Sequence, residues 1–199
     1  MSDVTRVFIG VPIPVQFRVK LERLGQNLAK VVPQARWVHP EDFHVTLAFL
    51  GDVPHADLRD VCRAVAEVTS VTPAFDLKLS GAGAFPDPVK PRVLWAGVDG
   101  DLDALSSLRA VIVEAVAKVG YPPDDDRFHP HVTLGRLKSG RDSPSIDLTN
   151  QVAHLRTWTA GPWTADSVIV YGSHPAKEGP SYATLGTARM TRRISKGDG

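Results

Sequence analysis

With a single cysteine, Cys62, among 199 residues, the chain has no internal disulfide to staple it, and it is long enough to bury a core without one. Cys62 lies in LRDVCRAV among apolar helical positions, so it reads as a buried thiol rather than a nucleophile. No run approaches the ~18 apolar residues of a membrane span. The N-terminal MSDVTRVFIGVPIP carries an early Asp and a proline-broken apolar stretch, too short for a secretory leader, and a cytoplasmic location is the expectation. Neither sign of charge is in surplus: 23 Lys and Arg against 22 Asp and Glu leave a formal +1, which excludes a protein that coats long nucleic acid through a basic surface. If nucleic acid is handled, a small part of it is gripped. GxGxxG and GxxxxGK[ST] are both missing, which removes the phosphate-cradling loops of the common nucleotide-binding folds.

What is present is a full set of strands and helices separated by short loops. Proline-rich stretches at 86–92, 121–126 and 174–181 are too short for free tethers, so residues 1–199 read as one domain. Alternation predicts a strand in VTRVFIGVPI. Phe17, Leu21, Leu24, Leu28 and Val31 then recur at helical spacing. RWVHPEDFHVTLAFLGDV reads as extended, broken near Pro40 and stopped at Gly51, with Pro54 placed to start a helix whose stripe is Leu58, Val61, Cys62, Val65 and Val68. Strands FDLKLSGAG and RVLWAGVD follow, then a helix capped by Asp101 and stopped by Gly120. A second HVTL strand, a short helix near 149–155 and strands at WTAGPW, SVIVYGS and YATLGTA complete the count. Strands and helices in this irregular order predict an α+β fold with mainly antiparallel sheet.

HVTL occurs at residues 44–47 and again at 131–134, 87 positions apart. Residues two apart on a strand share a face, so His44 and Thr46 lie together, and so do His131 and Thr133, while Val45, Leu47 and Phe49 are expected in the core. If the two copies are related by a pseudo-twofold axis, their polar faces meet across a cleft. Two imidazoles suit a reaction in which one proton is removed and another delivered, and two threonine hydroxyls donate to anionic oxygens without adding charge. Together they describe a phosphodiesterase site without metal or other cofactor. Zinc is the competing use of His39, His44, His129 and His131, but Pro130 interrupts the closest pair and no further Cys or carboxylate stands at ligand spacing. No serine has the GxSxG setting of a nucleophile.

These stretches resemble a known family. FHVTLAFLG (43–51) and HPHVTLGR (129–136) are similar to the paired motifs of the 2H phosphoesterases, and within them of the RNA 2′,3′-cyclic phosphodiesterases once named 2′-5′ RNA ligases. VFIGVPIP and VYGSHPAKEGPSYATL extend the resemblance over nearly the whole chain. It implies two pseudo-symmetric lobes of mainly antiparallel sheet, helices outside and a V-shaped central cleft. It also implies metal-independent hydrolysis of a terminal 2′,3′-cyclic phosphate to a 2′-phosphate, with reversible 2′-5′ ligation as a minor activity. By position the resemblance implies His131 as general base, His44 as general acid, and Thr46 and Thr133 as the phosphate-binding residues. Arg136 matches an arginine common after the second motif, yet strict alternation puts it on the face opposite His131 unless the strand bulges near Gly135.

Phe43 and Trp37 stand beside the motifs as base-stacking candidates, whereas the parity of Phe49 assigns it to the core. His129 is expected to position or to lie at the surface. The acidic cluster Asp124, Asp125 and Asp126 reads as a solvated loop, and the basic tail Arg189, Arg192, Arg193 and Lys196 as solvated, or touching RNA backbone. The expected partners are RNA 3′ ends or small nucleotides carrying a 2′,3′-cyclic phosphate, met by a monomer off the membrane. Two alternatives stay open, a cyclic-nucleotide or 2′-5′ oligonucleotide phosphodiesterase and, in another class, an RNA-end-binding module.

Overall fold

A computed structural model describes residues 3–123, 128–137, 146–174 and 181–192. Asp124, Asp125, Asp126, Arg193 and Lys196, and the loop at 174–181 except its end residues, lie outside the described residues. The strands are β1 (Val4–Pro12), β2 (Arg36–Trp37), β3 (His44–Pro54), β4 (Phe75–Phe85), β5 (Val93–Gly100), β6 (His131–Arg136), β7 (Thr159–Ala165), β8 (Ser167–His174) and β9 (Ser181–Arg189). The helices are α1 (Val15–Ala29), α2 (Leu58–Thr69), α3 (Leu102–Lys118) and α4 (Thr149–His154), an α+β set as expected. All pairings between these strands are antiparallel.

The strand order is β7-β4-β5-β6-β3-β1-β8-β9, with β2 added beside β6. Four strands of that order therefore lie on each side of the β6–β3 seam, with β2 a fifth on the β6 side, and the seam is made through one partner pair, Val45 with Val132. The helices supply the core for one face. Phe17, Leu21, Leu24 and Leu28 of α1 and Leu105, Leu108, Ile112 and Val116 of α3 are buried in one cluster with Val45, Leu47, Val132 and Leu134. Each fully buried aliphatic side chain of that kind contributes ~1.5–3 kcal/mol. Among the described residues no helix packs on the opposite face of the seam, where His44, Thr46, His131 and Thr133 project.

Asp101 caps α3 as expected, its Oδ1 accepting from the Ala104 amide at 3.0 Å, and Gly120 ends the turn at φ 96°. Three expectations fail. Val31 lies beyond the end of α1 and is exposed. β3 runs on through Gly51, whose φ of 72° lets the strand kink instead of stopping, so Pro54 closes β3 and α2 begins at Leu58. Cys62 is half-buried against Gly186 of β9, because α2 lies over the outer strands β8 and β9 rather than over the centre of the core.

Candidate active site

The Val45–Val132 pair fixes the arrangement of both motifs. Both valines are wholly buried on the core side, so their neighbours point the other way. Continuing the antiparallel register by one residue each way sets His44 opposite Thr133 and Thr46 opposite His131. The imidazoles occupy diagonal corners of this rectangle, with a hydroxyl at each of the other two.

Each ring is held by the same local device. His44 Nδ1–H donates to the Asp42 carbonyl at 2.6 Å, and His131 Nδ1–H to the His129 carbonyl at 2.7 Å. A carbonyl only accepts, so Nδ1 carries the hydrogen and, in a neutral ring, the lone pair lies on Nε2. The 3₁₀ turn Pro40–Asp42 turns the first of these carbonyls back toward its ring. His129 thus has a positioning role through its backbone, while its side chain is exposed.

A wall of aromatic rings stands beside each histidine. His44 has Phe8 at 4.7 Å, Tyr171 at 5.3 Å and Tyr182 at 5.6 Å between ring centroids; His131 has Phe85 at 5.0 Å and Trp95 at 6.3 Å. Two glycines make room: a Cβ on Gly10 would stand 2.9 Å from the Val45 carbonyl and 3.3 Å from His44, and one on Gly83 would collide with the Trp95 ring. Burial among these rings pushes the His44 imidazolium down to about 4, against the opposing effect of the Asp42 carbonyl, and the charges of His131 and Arg136 push the same way. Burial also lowers His131, joined by the charges of His129 and Arg136. Burial holds Tyr171 up to about 12 and raises Tyr182, so both phenols remain O–H donors near neutrality.

Strict alternation fails at the fourth letter of both motifs. Gly10 pairs with Thr46 and Ile9 with Ala48, which leaves Leu47 as an extra residue; Trp95 pairs with Thr133 and Leu94 with Gly135, which leaves Leu134 extra. Both leucines are buried, and each bulge reverses the parity of the residues after it. Arg136 therefore comes round to the face of His131. Phe49, 87 positions earlier, does the same in β3: it is 59% exposed and packs near Phe8 instead of entering the core. Arg136 and Phe49 line a small pocket of about 80 Å³ together with His44, Thr46, Thr133 and Tyr182.

The stacking candidates fare differently. Phe43 is only 4% exposed and packs into the core between the site residue His44 and the turn before it, while it also contributes to the lining of the groove beside α1. Trp37 is wedged between Gly25 of α1 and Gly135 of β6; it lines a larger groove of about 700 Å³ but not the small pocket. Sequence reading missed Phe8, Tyr171, Tyr182, Phe85 and Trp95. Trp95 and Phe8 carried a signal, each a large aromatic at the polar parity of a strand between core residues, Leu94 and Ala96 in one case and Val7 and Ile9 in the other. Among the described residues no group of three His, Cys, Asp or Glu is placed to hold a metal ion, and no helix is long and apolar enough to cross a membrane.

The chain is similar to known proteins of one family. A family model described as LigT-like phosphoesterase matches residues 11–95 and again 98–182, two matches that begin 87 positions apart, as the two HVTL copies do. Proteins of Geobacillus stearothermophilus and Aeropyrum pernix, both named RNA 2′,3′-cyclic phosphodiesterase, are 33% and 32% identical over 89% and 83% of this chain. The chain spans 55% of the length of the Geobacillus protein and 92% of the Aeropyrum protein. Among solved structures, one from Thermus thermophilus superposes with a TM-score of 0.77 at 24% identity, covering 93% of this chain and 97% of that one. E. coli LigT complexed with 3′-AMP gives 0.72 at 25% identity, covering 94% and 99%.

Proposed function

Since the chain belongs to the LigT-like phosphoesterase family, we propose that it hydrolyses the 2′,3′-cyclic phosphate at an RNA 3′ end to a 2′-phosphate, without a metal ion. The observation that carries this reading is the diagonal pair of imidazoles, each anchored at Nδ1 and, among the described residues, without a hydrogen-bond partner at Nε2. Water attacks phosphorus and the P–O3′ bond breaks. His131 Nε2 takes the proton that the water loses, and His44 Nε2 delivers one to the departing 3′-oxygen. Thr46 and Thr133 donate to the non-bridging oxygens, and Arg136 adds the fixed positive charge that a metal would otherwise supply as charge builds on the five-coordinate phosphorus. With a 5′-hydroxyl in place of water the same groups break the P–O3′ bond and form a 2′-5′ linkage, and the opposite direction returns the cyclic phosphate and the 5′-hydroxyl, a minor activity that the family resemblance implies.

In-line displacement requires acid and base on opposite sides of one phosphorus, a demand that imidazoles at diagonal corners suit, and a fixed acid protonates one of the two ribose oxygens only. Phosphorus NMR of the products from a dinucleotide ending in 2′,3′-cyclic phosphate, incubated with and without EDTA, tests the reading. The expected result is a single 2′-phosphate at the same rate in both. A mixture of isomers, or the 3′-phosphate, would displace His44 from the 3′-oxygen, and loss of turnover in EDTA would overturn metal independence.

A further inference from the structure

Arg36 and Arg136 are direct partners in the β2–β6 pairing. Like charges facing each other across a ladder destabilise it, and among the described residues neither guanidinium has a carboxylate within ion-pair reach. Both line the groove of about 700 Å³ between α1, β2 and the Pro40–Asp42 turn, a volume in the range of small-ligand sites. That groove adjoins the small His–Thr pocket. Val38, Arg136 and Tyr182 line both, whereas Arg36 faces the groove alone.

Resting on the catalytic reading above, we propose that Arg36, with Arg136, forms a second phosphate subsite, which holds the phosphodiester one nucleotide upstream of the reacting cyclic phosphate. An anion between two facing guanidiniums removes their mutual repulsion and accepts charge-assisted hydrogen bonds from planar forks. The rest of the groove suits the nucleoside that such a phosphate brings with it. Glu22, Glu41 and Asp42 line it, acceptors for ribose 2′-hydroxyls and exocyclic amines but poor neighbours for further phosphate. The substrate is then an oligonucleotide end rather than a free cyclic mononucleotide.

Three substrates separate the contributions: adenosine 2′,3′-cyclic phosphate, the adenosine dinucleotide ending in 2′,3′-cyclic phosphate, and that dinucleotide with an uncharged methylphosphonate linkage. The unaltered protein is expected to prefer the charged dinucleotide over the mononucleotide by about tenfold or more in kcat/KM, mostly through KM, and the methylphosphonate removes most of that advantage. Arg36→Ala shrinks the ratio of dinucleotide to mononucleotide to within about threefold and makes the linkage charge irrelevant, while Arg36→Lys restores part of it. Equal kcat/KM for mononucleotide and dinucleotide, or a preference untouched by Arg36→Ala, overturns the subsite. Equilibrium binding of the dinucleotide bearing a terminal 2′-phosphate reads the subsite without turnover. A protein inactive on all three substrates whose binding still weakens with Arg36→Ala keeps the subsite and overturns the catalytic reading alone.

Discussion

At the scale of the residue, the two histidines are the same chemical object set twice: Nδ1 tied to the carbonyl two positions back, Nε2 left for substrate, aromatic rings alongside. Truncating either one, His44→Ala or His131→Ala, is expected to lower kcat by at least ~100-fold with a much smaller change in KM, since in the proposed mechanism each moves a proton in the transition state. Thr46→Ala and Thr133→Ala are milder, because proton transfer survives the loss of one donor. Single-turnover kinetics on folded variants, checked by circular dichroism, separates these outcomes, and full activity without either imidazole removes it from the mechanism. The lowered pKa values fix the sign of the pH dependence. Both free imidazoles titrate below the ordinary 6.5, His44 at about 4, so the pair carrying one proton is populated on the acid side of 6.5 and drains away as pH rises. The profile of kcat/KM is therefore a bell centred below pH 6.5. The kcat profile lies higher, because a bound phosphate anion favours the imidazolium. A kcat/KM optimum above pH 7.5 would show that other groups carry the protons.

At the scale of the element, the bulge at the fourth letter of each motif decides what reaches the site. Arg136→Ala is expected to reduce kcat/KM about 10- to 100-fold, the worth of one charge-assisted hydrogen bond, with Arg136→Lys intermediate. Were β6 regular through Leu134, Arg136 would face away and the loss would be under about twofold. This is also where legibility in the sequence ends. The strands, α3 with its Asp101 cap and Gly120 stop, and the shared face of His and Thr follow from local pattern, because alternation and capping are written in neighbouring residues. Whether Leu47 and Leu134 continue the ladder or bulge out of it depends on β1 and β5, strands that the motif does not contain. Alternation sends Phe49 to the wrong face for that reason, and it leaves the position of Arg136 conditional. Phe8, Tyr171 and Tyr182 gather at His44 from three strands whose register no local pattern announces.

At the scale of the whole molecule, the 87-residue repeat is legible as two HVTL copies, but the repeats exchange strands as they fold. β4, which follows the first motif, pairs with β5 and β7 on the far side of the seam, while β8, which follows the second, pairs with β1. α1, which follows β1, reaches across to β6 and β7. A cut at Asp101 keeps only the β1–β3, β4–β5 and β8–β9 pairings inside a fragment; β1–β8, β2–β6, β3–β6, β4–β7 and β5–β6 all cross it. Two-stranded remnants are marginal in water, and α1 and α3 would each lose sheet to pack on. We therefore expect fragments 1–100 and 101–199 to lack a cooperative transition when expressed alone, and the intact chain to unfold in one step, with tryptophan fluorescence and far-ultraviolet circular dichroism coincident in urea. A stable fragment, or two separated transitions, would mean that each repeat folds by itself. The requirement also bears on chemistry. The rectangle of two His and two Thr straddles the β3–β6 seam, so each half carries one imidazole and one hydroxyl, and neither fragment alone should turn over substrate. Activity recovered on mixing the two would come from reassembly of that seam, and it should rise with fragment concentration.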